Sequence, residues 1–184
     1  MVEKGGIKVE EELKYTLQKI EQNFSNYSAW HHRMVYSCKR YEEDYSNFLL
    51  EELEYVHSAF YTSPDDQSTW FYFRWLVSKA PLSLLLQELS LIQQLTQIEP
   101  KAKWPILTLI FLHKKIQQLK EKEKGKEGEV ERGEEEGEGE IERGVREGEG
   151  VESVSSLVEK LINLDPFHKN YYTSLLQNLS SLSF

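Results

Sequence analysis

Two stretches of this chain, forty residues apart, superpose without a gap. "LKYTLQKIEQNFSNYSAW" at 13–30 lies on "LEYVHSAFYTSPDDQSTW" at 53–70. Leu13 falls on Leu53, Tyr15 on Tyr55, Ser28 on Ser68 and Trp30 on Trp70. Ile20 lies on Phe60, and Asn26 on Asp66. Self-similarity at this period restricts a chain to stacked units, none of which buries its apolar face alone. The unit is helical. Leu13, Leu17, Ile20 and Phe24 step by four, three and four, as do Leu49, Leu53, Val56 and Phe60. That spacing puts each set on one helix face.

"LSLLLQELSLIQQLTQIEP" and "VSSLVEKLINLDP" are amphipathic in the same way. Each of the four segments is followed by a short polar or Pro-containing break and then a second apolar helix. The expectation is an all-α, right-handed α–α superhelix of about four helix–turn–helix repeats over residues 10–178. Asn26 and Asp66 stand just before their second helices, where a side-chain oxygen accepts a free backbone N–H. Trp30 and Trp70 fall one turn in, at packing positions. Arg33 follows Trp30 by three residues and Arg74 follows Trp70 by four. Each is placed to reach helix-end carbonyls or a carboxylate of a neighbouring pair. The third and fourth pairs are degenerate copies: "IEPKAKW" ends at Trp104, and "LDPFHKNYY" keeps an acid–Pro turn at Asp165–Pro166.

One window departs from the pattern. Residues 121–150 hold 13 Glu, 6 Lys or Arg and 8 Gly, a net charge of −7 out of −9 for the chain. The window lacks apolar surface to offset its ordering entropy. It is expected to be a disordered insertion, cheap because closure entropy grows only logarithmically with length. The remaining residues are near neutral and carry no basic stripe, which argues against nucleic-acid binding. A single cysteine, Cys38, makes neither a disulfide nor a cysteine-based zinc site. With no membrane-span-length apolar run and no signal core, a cytoplasmic protein is the default expectation.

The Asn26–Trp30–Arg33 pattern of "NYSAWHHR" resembles the repeat of protein prenyltransferase α subunits. "DQSTWFYFRW" fits with Asp66 in place of Asn and one extra residue before Arg74. "NFSNYSAWHHR", "FYTSPDDQSTWFYFRWLVSKA", "IEPKAKWPILTLIFL" and "LINLDPFHKNYYTSLL" are most similar to the α subunits of Rab geranylgeranyltransferases, over roughly residues 10–120 and 151–178. A farnesyltransferase or type I geranylgeranyltransferase α subunit, and a non-enzymatic helical-repeat scaffold, stay open as alternatives.

The resemblance implies a crescent of paired helices wrapped around a β subunit. That β subunit would carry the catalytic zinc and most of the geranylgeranyl diphosphate pocket. The heterodimer would prenylate C-terminal cysteines of Rab GTPases presented by an escort protein. No cofactor is expected in this chain, and no catalytic residue. Farnesyl relatives carry a Lys before their Asn-Tyr motif where this chain has Ser25, so that role is not carried over. Family subunits have further repeats upstream, so the chain is expected to be the C-terminal portion of such a subunit.

The changed positions between the two clearest repeats are the candidates for subunit contact: Tyr27, His31 and His32 against Gln67, Phe71 and Tyr72. Asn26, Trp30, Arg33, Asp66, Trp70, Arg74 and Trp104 are the expected structural residues of the repeat. Adjacent His31 and His32 point about 100° apart on a helix, which suits packing or contact better than gripping one ion. Asp65 and Asp66 suit a turn and a cap better than acid–base work.

Overall fold

The computed structural model describes residues 9–43, 45–130 and 152–177. Among these residues, eight α-helices form four antiparallel pairs: α1 Val9–Gln22 with α2 Tyr27–Glu43, α3 Tyr45–Thr62 with α4 Gln67–Leu76, α5 Leu82–Ile98 with α6 Lys103–Val130, and α7 Val154–Leu164 with α8 Lys169–Gln177. There is no strand among the described residues. The architecture is an all-α helical-repeat superhelix.

One four-residue turn recurs inside every pair. The amide of its fourth residue donates to the carbonyl of its first: Asn26 to Asn23 (3.1 Å), Asp66 to Ser63 (3.1 Å), Ala102 to Glu99 (3.1 Å) and His168 to Asp165 (3.2 Å). The amide of the first residue meanwhile closes the preceding helix, as Ser63 N does on Ala59 O at 2.9 Å. All five prolines lie in these turns, between pairs, or in the first turn of a helix, where a missing N–H costs nothing.

With the turns aligned, the core positions repeat. Thr16, Val56, Ile92 and Val158 each stand seven residues before the turn, and all four are buried. The residue seven after the turn's start is Trp30, Trp70, Ile106 or Tyr172, each no more than 3% exposed. The two indoles also hydrogen-bond back to their own turns. Trp30 Nε1 donates to Phe24 O at 2.7 Å, and Trp70 Nε1 donates to Pro64 O at 2.8 Å. Asn26 Oδ1 accepts from Ala29 N (3.1 Å) and Asp66 Oδ1 from Ser68 N (2.9 Å), so both turns are capped.

Trp104 is not the third copy of the repeat tryptophan. Ile106 occupies that place, and Trp104 is half-buried two residues earlier, edge-on to the Phe71 ring at 5.4 Å. It braces α6 against α4 rather than filling a pair's interior. In the fourth pair Tyr172 takes the tryptophan's place and its hydroxyl donates to Asp165 Oδ2 at 2.9 Å, again tying ring to turn.

Asp165 also holds His168 Nδ1 at 2.9 Å and Lys103 Nζ at 3.4 Å. These partners, His168 foremost, pull its carboxyl down to about 2 from its ordinary 3.8. A depressed carboxyl stabilises the fold above its unfolded value, and that contribution is lost as pH falls through the folded one. Urea midpoints should therefore drop between about pH 4 and 2 in the wild type. Asp165→Asn should remove this share of the slope. An unchanged slope in the variant would show that the turn carries no such linkage.

The pairs stack in chain order. The second helices α2, α4 and α6 touch in succession, and α7 packs on α6. The fourth pair thus follows the third in space although more than twenty residues intervene. The first ten residues of the expected insertion differ from expectation: α6 continues to Val130. Glu and Lys are strong helix formers, and extending a packed helix costs no new nucleus. Gln117 Nε2 donating to Glu121 Oε1 at 2.9 Å supports that extension. Residues 131–150 lie outside the described residues.

Candidate functional site: the face of the second helices

A buried polar cluster joins pairs one and two. Arg33 on α2 forks onto Glu52 of α3, with Nε to Oε2 at 2.6 Å and Nη2 to Oε1 at 2.5 Å. Its Nη1 donates to the Leu13 carbonyl of α1 at 2.7 Å, and the Tyr55 ring lies 5.3 Å from the guanidinium. Tyr72 of α4 donates its hydroxyl to the same Glu52 oxygen at 2.6 Å. Three helices meet on one carboxylate, and Arg33 ties in the fourth, α1. Burial pulls the Arg33 guanidinium down, but the hydrogen bonds and charge of Glu52 more than offset this and hold it above its ordinary value. Burial, then the Glu52 charge, pushes the Tyr72 phenol well above its ordinary value.

This placement corrects the expectation for Tyr72. It is 3% exposed and packed on the Trp30 and Trp75 rings at 5.0 and 5.3 Å, bordering a surface hollow while presenting little area of its own. A hydroxyl that seals a buried ion pair is not at a surface. His32 turns toward Glu12 of α1 (3.8 Å) and lies edge-on to the Tyr36 ring. Gln67 is exposed at the start of α4.

Four of the six candidates do converge, the buried Tyr72 beneath three exposed residues. Tyr27 stacks on His31 with centroids 6.0 Å apart, both exposed, and they share a shallow hollow of about 90 Å³ with Phe71. Phe71 also forms the mouth of a second, larger cleft of about 480 Å³ between α4, α6 and α8. Trp75, Phe111 and Tyr171 wall that cleft, and its charged lining is Arg74, Lys114 and Lys115.

Arg74 does not repeat the role of Arg33. With the turns aligned, Phe73 occupies the Arg33 place, and one further residue rotates Arg74 by about 100° toward α6. There Nη2 donates to Thr108 Oγ1 at 3.3 Å, and the Phe111 and Phe71 rings lie 5.7 and 6.0 Å away. Nε is buried with no hydrogen-bond partner among the described residues. Burial pulls this guanidinium down to about 10, only partly opposed by Tyr171. Burial, with Lys122 adding repulsion, also lowers Lys115.

Sequence reasoning identified Arg74 but not its cleft, which needs Lys114, Lys115 and Tyr171 from elements far apart in the chain. It also missed Glu52, although a signal existed. Glu12, Glu52 and Glu88 each stand eleven residues before a turn, so the repeat itself marks the position. Among the described residues, no cluster of three His, Cys, Asp or Glu is arranged to hold a metal ion, and the divergent His31 and His32 do not fit one. No helix among them is long and apolar enough to cross a membrane.

Residues 9–40 and 49–80 match the model of the protein prenyltransferase alpha subunit repeat. These ranges coincide with the first two helix pairs. The chain is 29% identical over 197 aligned positions to a geranylgeranyl transferase type-2 subunit alpha of Schizosaccharomyces pombe, covering 94% of this chain and 51% of that protein. It is 36% identical to the protein of the same name in Dictyostelium discoideum, over 69% of this chain and 33% of that one. To the Rattus norvegicus protein it is 46% identical over 78 residues, 38% of this chain and 14% of the relative. The chain thus spans about half, or less, of the length of these curated relatives. The matched repeats and the turns that realise them give this chain two protein prenyltransferase alpha subunit repeats, and its sequence is similar to the alpha subunits of type-2 geranylgeranyl transferases.

Proposed function

We propose that this chain acts as α-subunit repeats of a Rab geranylgeranyltransferase, scaffolding a β subunit that carries the zinc and most of the geranylgeranyl diphosphate pocket. The observation that carries the reading is the likeness to a type-2 alpha subunit of Schizosaccharomyces pombe along 94% of the chain, with repeat matches in register with the first two helix pairs. The substrate would be the C-terminal cysteines of a Rab GTPase brought by an escort protein, in the cytoplasm. The zinc would bind and activate the thiolate. The chain's own part is mechanical. Its stacked pairs hold the exposed Tyr27, His31 and Phe71 on one face, and exposed aromatics of this kind are enriched at subunit interfaces. The chain alone is proposed to be inactive.

The test is co-expression with the type-2 β subunit of the same organism. The two should co-elute as a 1:1 complex, and the complex should transfer geranylgeranyl to Rab only with the escort protein present. Transfer by the purified chain alone would overturn the scaffold role, and transfer to short CaaX peptides without escort would overturn the Rab assignment. Failure to co-elute would favour a non-enzymatic helical-repeat scaffold.

A further inference from the structure

The cleft between α4, α6 and α8 holds an arginine in the setting of Arg33 but without the carboxylate. Arg33 has an aromatic face beneath it, Tyr55, a tyrosine hydroxyl beside it, Tyr72, and Glu52 gripped in its fork. Arg74 has aromatic faces in Phe111 and Phe71, and a tyrosine in the same cleft, Tyr171. Among the described residues, no Asp or Glu lines the cleft. The carboxylate that the repeat would supply is Glu88, which is buried on α5 and engaged by His57 Nε2 at 2.9 Å. One guanidinium N–H of Arg74 is buried and unpartnered among the described residues, a costly condition unless an acceptor arrives. Lys114 and Lys115 add positive charge to the same walls.

We propose that this cleft seats an acidic side chain of a polypeptide partner, an Asp or Glu flanked by an aromatic or aliphatic residue, with Arg74 as its ion-pairing group. The cleft, at about 480 Å³, is far larger than a single carboxylate needs, and most of its walls are apolar. A small hydrated anion would leave Trp75 and Phe111 wet. A peptide segment would bury them while its carboxylate meets the fork, the geometry guanidinium recognises best. Arginine and aromatic residues in a desolvated pocket are also the usual anchors of protein interfaces. The opening is continuous with the candidate contact face, because Phe71 borders both this cleft and the hollow of Tyr27 and His31. The partner half of the proposal rests on the subunit reading above. The carboxylate half stands on the cleft itself.

The probe is 3-phenylpropionate, a carboxylate on a short aromatic arm, with its neutral amide as control. Each is titrated into the full chain and followed by ligand-observed NMR. The acid should bind the wild type measurably, and about tenfold more weakly to Arg74→Gln, the loss of one charge-assisted pair. The amide should bind both proteins weakly and alike. Lys115→Gln, which leaves Arg74 in place, should cost about two- to threefold and keeps the test open if Arg74→Gln fails to fold. Equal binding of acid and amide to the wild type, or full acid affinity in Arg74→Gln, would overturn the carboxylate seat. In a complex with the type-2 β subunit the acid should no longer bind. A complex that forms and still binds it as the free chain does would overturn the polypeptide occupant. If no complex forms, the subunit reading and the partner half fall together, while the titrations on the free chain still judge the seat.

Discussion

Glu52→Leu should destabilise the protein by about 3–5 kcal/mol, as should Arg33→Met, because each leaves the other member of a buried ion pair uncompensated. Glu52 is 1% exposed and Arg33 4%, so water cannot repair either loss. Tyr72 would also lose its acceptor in Glu52→Leu. The double variant Arg33→Met/Glu52→Leu should recover much of the loss, since an apolar pair of similar volume needs no partner. Urea unfolding of the four proteins gives the coupling energy directly. In a chain of this size each kcal/mol moves the thermal midpoint by roughly 2–4 °C. Single variants within about 1 kcal/mol of wild type, or a double variant as unstable as the sum, would show that the cluster does not tie the pairs together.

Trp70→Ala should cost a comparable amount, about 3–5 kcal/mol, by cavity formation. Trp70 is fully buried, its ring stacks on Phe60 at 3.6 Å and its indole N–H closes the turn on Pro64 O. Trp70→Phe separates these contributions. It keeps most of the packing and removes the hydrogen bond, leaving a carbonyl to find another donor at about 0.5–1.5 kcal/mol. If Phe cost as much as Ala, the hydrogen bond to the turn rather than ring volume would dominate. Denaturant midpoints for the two variants decide this.

The helix pairs and their order were legible because apolar spacing and a gap-free repeat are local signals. The caps at Asn26 and Asp66 were legible for the same reason: an N-cap needs only a side-chain oxygen and the next turn of helix. What failed depended on register or on distance. Trp104 was matched to Trp30 by residue type, but the turn hydrogen bonds put Ile106 there. A tryptophan two residues off points to a different neighbour. Tyr72 reads as a surface aromatic because its acceptor, Glu52, is a charged residue on another helix. Nothing local announces that a glutamate is buried. The extension of α6 into the Glu-rich window reflects competition between composition, which disfavours a packed core, and propensity, which lets an existing helix run on. The Arg74 cleft assembles side chains from three helices, and only the stacking of pairs brings them together.

Glu12, Glu52 and Glu88 occupy one position of the repeat, yet each answers to a different group: His32 across 3.8 Å, Arg33 with Tyr72, and His57 at 2.9 Å. Near-identical units joined in series are prone to pair with the wrong neighbour while folding. Here a carboxylate at a constant place meets a different partner each time: within pair one for Glu12, and across the seam to the preceding pair for Glu52 and Glu88. A helix that docked one unit too far along would bring its carboxylate to a different partner. The four turns supply a common joint, and Glu52 and Glu88 distinguish one seam from the next.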